Sequence, residues 1–294
     1  MELTENEALI PDAPHQHLKE QTFDAHGVVI NYALGPSSGP PLLLLHGITE
    51  RWQTFLPLMS HLAKTWQLYA LDLRGHGQSG RVKNSYRVSD YAQDFILFLE
   101  SKVSQPAVIL GHSVGALVAI YVAANKPKQV RAIILVDPPL HLQHTPLKDV
   151  PSGPYQTFAK ILELIRSNQS WQAIEKGLAM YFPEGNSEAR RARAKVLSQL
   201  DPGALAISLE NHHMVGFDTD ALLQRIECPA LLLQGNPELG AALFDKDVTH
   251  ALTLLRHGVL MRISEGAHML HQSHPEAVLN CIEQFFSEQN YGQH

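Results

Sequence analysis

Short apolar runs alternate along this chain with longer amphipathic stretches, the pattern of β-strands joined by crossover helices in a mostly parallel sheet. Residues 42–45 are four consecutive leucines, as expected of a strand covered on both faces, and 68–71, 107–110, 132–136 and 230–233 read the same way. Residues 28–33 alternate like a half-exposed strand, and 258–263 form a weaker last one. Helical spacing marks 55–64, 89–102, 114–125 (stopped by Pro127) and 275–288, which opens on a first-turn proline.

The rhythm breaks once. From Pro138 to Pro229 nothing reads as a strand, while 155–166, 171–181 and 187–200 carry helical patterning, punctuated by Pro183 and Pro202. A helical insertion between two strands accounts for this. The expected organisation is an N-terminal arm (1–20), a core (21–138 and 228–294) and an inserted helical unit (139–227).

With 294 residues, 45% of them hydrophobic, the chain can fill one large core with a smaller unit attached. Its 23 basic and 29 acidic residues give a net charge of −6 without a Lys/Arg-rich run, which argues against nucleic-acid and anionic-membrane partners. No run approaches the roughly 18 apolar residues of a membrane span, and the polar, acidic start MELTENEALIPDAPHQ has no leader-like basic or apolar region. Cys228 and Cys281 are too few and too far apart for a disulfide framework or a zinc site and are expected to be core thiols. The expectation is a cytoplasmic monomer or homodimer.

The strongest chemical signal is Gly111-His112-Ser113-Val114-Gly115, which follows the apolar strand ending at Leu110 and opens an apolar helix. A serine between strand and helix sits on a strained turn, and side chains at the flanking glycines would clash with neighbouring backbone. Ser113 is therefore the expected nucleophile. A serine hydroxyl needs a base. Of the 17 histidines, His15, His17, His141, His144, His212 and His294 are expected on loops or exposed faces. His268 instead lies after the last strand and before the Pro275 helix, where a loop reaches back over the carboxyl edge of the sheet. Glu265, His271 and His274 flank it at three-residue steps, but Gly266 makes a loop of this segment, which argues against a metal site. Donors for a developing oxyanion are expected from the amide of Ile48, after His46-Gly47, and from that of Val114. Gly75-His76-Gly77-Gln78-Ser79-Gly80 matches a dinucleotide fingerprint, but it opens no helix and no acidic residue closes a second strand, so no NAD or FAD site is expected.

Taken in order, His46-Gly47, Asp72-Leu73-Arg74-Gly75-His76-Gly77-Gln78-Ser79, Gly111-His112-Ser113-Val114-Gly115 and Gly266-Ala267-His268 followed by Pro275 resemble the α/β-hydrolase superfamily. The resemblance covers roughly 20–138 and 228–288. It implies an α/β fold with a mostly parallel eight-stranded sheet, helices on both faces and a helical cap inserted after strand six. It also implies that 72–79 forms the loop after the fourth strand, shaping the site without taking part in chemistry. The acid of the triad has two candidates: Glu238, at the usual place after strand seven, and Asp137, at the tip of strand six, which is slightly favoured because Pro237 and Leu239-Gly240 depart from the usual turn. Asp245 and Asp247 lie further along.

These features imply a serine hydrolase that cleaves an ester, thioester or lactone of a small, largely apolar substrate without a cofactor. The same triad would serve a carbon–carbon bond hydrolase of the meta-cleavage type, with perhydrolase-like activity as a side reaction. An epoxide hydrolase or dehalogenase would carry aspartate in place of Ser113. A non-catalytic receptor for a small ligand is the reading from another class. Substrate contacts are expected from Trp52, His112, Trp171, Met214 and Met269, and Tyr155, Phe158, Met180, Tyr181, Phe182 and Phe217 could also wall an apolar pocket.

Overall fold

A computed structural model of the chain describes residues 18–150, 153–167, 170–182 and 186–288. Eight strands form one sheet in the order β1-β2-β4-β3-β5-β6-β7-β8. They are β1 (Lys19–Ala25), β2 (Val28–Leu34), β3 (Pro41–Leu45), β4 (Gln67–Leu71), β5 (Ala107–His112), β6 (Val130–Val136), β7 (Ala230–Gln234) and β8 (Gly258–Arg262). The pairs β1–β2 and β2–β4 are antiparallel and the rest parallel. Seven of these strands follow the hydrophobic pattern. The exception is β1, whose polar, largely exposed residues form an edge strand that the pattern does not mark and that begins two residues inside the expected N-terminal arm.

The leucine run shows why the central strands are apolar throughout. Leu43 and Leu45 of β3 enter one core while Leu42 and Leu44 enter the other, and Ile109 with Val108 of β5 and Leu232 with Leu231 of β7 divide in the same way. The first core is covered by α2 (Val88–Lys102) and α3 (Val114–Asn125), the second by α1 (Leu56–Leu62) and α11 (Pro275–Glu288).

Between β6 and β7 no strand occurs among the described residues. This stretch holds α4 (Tyr155–Ser167), α5 (Trp171–Tyr181), α6 (Ser187–Ser198), α7 (Pro202–Leu209) and α8 (Thr219–Gln224). The last two were not expected. Helix α7 is almost uniformly apolar over eight residues and α8 is only six long, so neither shows an amphipathic period. Helix α8 packs on α3 and on α9 (Asp245–Leu254), so the chain has already returned to the core before Pro229. A single turn, α10 (Leu270–Ser273), precedes α11. Cys228 and Cys281 are free and partly buried.

Candidate active site

Three neighbouring strands, β3, β5 and β6, are followed by a non-glycine residue in the left-handed backbone region: Thr49 (φ 66°) in the loop after β3, and Ser113 (φ 53°) and Asp137 (φ 47°) directly after β5 and β6. Such a conformation typically costs roughly 1–3 kcal/mol and persists only where surrounding contacts enforce it. At Ser113 the enforcement is close packing of backbone. A Cβ on Gly115 would fall on the Leu45 carbonyl, and one on Gly111 on the Gly115 carbonyl. Ser113 thus stands at the first turn of α3, with its own amide bonded to the Val136 carbonyl at 3.1 Å.

Asp137 is fully buried and accepts the amides of Ala242 (2.6 Å), Leu243 (3.2 Å) and Gly235 (3.4 Å). Its Oδ2 also faces Nδ1 of His268 at 2.6 Å. Of the two candidate acids it is therefore Asp137 that meets the histidine. Glu238 sits exposed on a 3₁₀ turn, its amide capped by the Asn236 side chain. With Nδ1 engaged, Nε2 is the ring nitrogen of His268 that remains, and His268 lines the same cavity as Ser113.

The loop after β3 is tied to this assembly by Glu50. Its Oε2 accepts the Gly47 amide at 2.9 Å and faces Nδ1 of His112 at 3.0 Å, while Oε1 accepts the Thr54 hydroxyl at 3.1 Å. A Cβ on Gly47 would lie 2.9 Å from His112 Nδ1 and 3.1 Å from Ser113 Cβ, so only glycine allows the loop this close to the elbow. The other ring nitrogen of His112 faces the His268 carbonyl at 3.0 Å. Both partners of this imidazole are acceptors, so both its nitrogens must carry protons. Burial alone would lower the pKa of His112, but the charge and hydrogen bond of Glu50, with the His268 carbonyl, hold it above the ordinary histidine value. For Glu50 burial acts upward, and the charge and hydrogen bond of His112 outweigh it and pull the carboxyl far below its usual range.

Two neighbouring histidines, His46 and His271, are neutral. His46 accepts the Leu73 amide on Nε2 at 3.0 Å and donates from Nδ1 to the Gly47 carbonyl at 2.7 Å, and burial lowers its pKa to about 4. His271, whose Nε2 meets the Thr54 hydroxyl at 2.8 Å, is pushed down to about 3 by burial and then by the charge of His112. The Gln272 amide also reaches Thr54. Donor atoms of Glu50, His112 and His271 lie within 4.8 Å of one another, a different grouping from the Glu265, His268, His271 and His274 spacing in the sequence. Glu50 and His112 are bonded to each other and Nε2 of His271 to Thr54, while Nδ1 of His271 is buried without a hydrogen-bond partner among the described residues.

Ser113, Val114, Ile48, His112, His268 and Met269 all line one cavity of about 1010 Å³. The amides of Ile48 and Val114 have no acceptor within the protein among the described residues. The helical insertion closes one side with Phe158, Ala189, Ala192, Arg193 and Val196. Arg193 of α6 reaches the loop after β3, donating from Nη1 to the Thr49 carbonyl at 2.7 Å and from Nη2 to the Thr49 hydroxyl at 2.6 Å.

Three expected substrate contacts are corrected by this arrangement. Trp52 is buried in the second core, its amide held by Asp72 and its indole N–H by Glu20. Met214 is buried in the first core. Trp171 lies under the Lys195 ammonium on the insertion, away from the cavity. Of the other expected wall residues only Phe158 reaches the cavity, and Met180 is 73% exposed. His141, expected to be solvated, is buried and lines the cavity, with Nδ1 on the Ala242 carbonyl at 3.0 Å. His15, His17 and His294 lie outside the described residues. The stretch 72–79 follows β4 but does not line the cavity. Asp72 braces the segment after the Gly47 loop through the Trp52 amide and shapes the site only indirectly.

A family model of the alpha/beta hydrolase fold matches residues 40–275, and the chain belongs to that family. Among curated proteins it is 26% identical over 281 residues to 2-(acetamidomethylene)succinate hydrolase of Mesorhizobium japonicum, covering 93% of this chain and 97% of that one. It is 28% identical over 265 residues to pimeloyl-[acyl-carrier protein] methyl ester esterase of Neisseria meningitidis, with 85% and 94% covered. Among solved structures it is similar to N-formylmaleamic acid deformylase from Pseudomonas putida S16, with a TM-score of 0.75 and 23% identity over 90% of this chain and all of the other. The chain is a hydrolase of this family. Among the described residues no helix is long and apolar enough to cross a membrane.

Proposed function

We propose that the protein is a serine hydrolase acting on the carboxylic ester, thioester or lactone of a small molecule. Ser113 is the nucleophile, His268 the general base and acid, and Asp137 the carboxylate that orients it. The observation that carries this reading is the 2.6 Å contact between Asp137 and Nδ1 of His268, which supports a tautomer that keeps Nε2 for the serine, with His268 and Ser113 lining one cavity. In the first step Ser113 Oγ attacks the carbonyl carbon and its proton passes to His268 Nε2. The amides of Ile48 and Val114 receive the oxyanion. Collapse of the tetrahedral adduct expels the alcohol or thiol, which takes the proton from His268. Water then repeats the sequence on the acyl-enzyme and releases the acid.

The insertion is proposed to act as a cap, since Phe158, Ala192 and Val196 close the cavity over Ser113. An ester is also the bond named in the Neisseria relative. A fluorophosphonate probe tests the reading: it should label Ser113 in the native protein and fail to label after Ser113→Ala. Absence of label on the native protein, together with no turnover of short-chain esters, would sink the proposal.

A further inference from the structure

Arg193 carries more charge and more donors than its contacts use. Thr49 accepts from Nη1 and Nη2, which leaves three of the five N–H groups of the guanidinium unassigned on the cavity wall. A neutral glutamine amide could brace Thr49 with its two N–H groups. A cation is not needed for that. Among the described residues no carboxylate lies within ion-pair distance of Arg193.

The charged neighbours do not change this. Glu50 is the charge that acts most directly on Arg193, but it is already paired with the His112 imidazolium. Arg51, also on the wall, is held by Gln199 at 2.9 Å and feels the charges of Asp72 and Glu20. Asp137 is enclosed by three amides and His268. Burial lowers the pKa of Arg193, with Glu50 opposing, as expected for a cation set in a cavity wall without a counter-ion. Such a group is costly to keep unless something anionic meets it.

Its position says where that anion belongs. Thr49 follows Ile48 directly, and consecutive Cα atoms lie about 3.8 Å apart. The guanidinium therefore grips the residue next to the proposed oxyanion donor, and Ile48, Thr49 and Arg193 all line the cavity that Ser113 lines. We propose that the substrate is a short-chain dicarboxylic acid with one end esterified or otherwise acylated, and that Arg193 binds its free carboxylate through the donors Thr49 leaves unused. This rests on the serine-hydrolase reading and specifies its substrate class.

The test is protection of Ser113 from a fluorophosphonate, comparing monomethyl succinate with methyl isocaproate, in which an isopropyl group replaces the carboxylate. In the native protein the acid should slow labelling at a concentration about tenfold or more below that needed for the neutral ester, the scale of a charge-assisted pair. Arg193→Gln keeps donors for Thr49 and should bring the two concentrations to within about threefold, while Arg193→Lys should recover part of the preference. Thermal melts confirm that each variant is folded. A native protein without preference for the acid, or an Arg193→Gln variant that keeps it, overturns the proposal while labelling at Ser113 still stands. A native protein that neither labels nor turns over short-chain esters overturns the hydrolase reading instead.

Discussion

His112 hands one ring proton to Glu50 at 3.0 Å and the other to the His268 carbonyl at 3.0 Å, so a single buried imidazolium joins the loop after β3, the Ser113 turn and the loop that carries the proposed base. Replacing either partner leaves the other as an uncompensated buried charge. Glu50→Gln or His112→Asn alone should therefore cost about 3–5 kcal/mol of stability, and the double variant less than the sum of the two. Urea denaturation of the four proteins completes the cycle. Additive losses would show that the pair is not coupled.

Acid should destabilise the protein well above the range where carboxylates titrate. His46, His141 and His213 are held down at about 4, and His76 and His271 at about 3, each chiefly by burial. A depressed native pKa stabilises the fold above the ordinary value of 6.5, and that contribution is lost as pH falls toward the native value. His112, raised in the native state, has the opposite sign: its contribution is complete below the ordinary value and is lost as pH rises through its native value. Proton uptake on unfolding should thus rise toward five between pH 6.5 and about 4.5, read from the pH dependence of the urea midpoint. Uptake near one proton would contradict the buried neutral assignments.

Asp137→Asn should retain the fold and lower ester turnover by roughly 10⁴, because an amide no longer selects the tautomer with Nδ1 protonated. Glu238→Gln, on its exposed turn, should stay within about twofold of the native rate. Steady-state kinetics on one ester separate the two, and the reverse order would reassign the acid.

Ser113→Gly should abolish turnover and raise stability by about 1 kcal/mol, since glycine adopts the φ of 53° without strain. Calorimetry reads the shift. A lower melting temperature would mean that the serine side chain adds more in packing than the turn costs.

The central strands were legible because two covered faces leave no polar positions, as in Leu42–Leu45. Ser113 was legible because its whole context is local: a strand, two glycines and a helix. The acid was narrowed only to Asp137, slightly favoured, and Glu238, since Asp137 lies 131 residues from His268 and the amides that hold it come from beyond β7. Glu50 left no local mark either, because its partner His112 is 62 residues away. Aromatic and methionine positions misled for a different reason. Trp52 and Met214 face the cores, and amphipathic spacing distinguishes buried from exposed, not core from cavity. Arg193 reads as one charge among several on α6 until the fold sets it against Thr49.

Thr49, Ser113 and Asp137 lie past the ends of adjacent strands, so three of the six left-handed non-glycine residues among the described ones stand along one rim of the sheet. The opposite rim, where β3, β5 and β6 begin, holds none of the left-handed non-glycine residues. Relieving the strain at Ser113 would add heat resistance and, with Ser113 as the proposed nucleophile, forfeit turnover. Neutral drift, by contrast, has the quiet rim to wander in. Durability and the proposed chemistry therefore meet at one edge of the sheet, and a gain in the first made at Ser113 falls on the second.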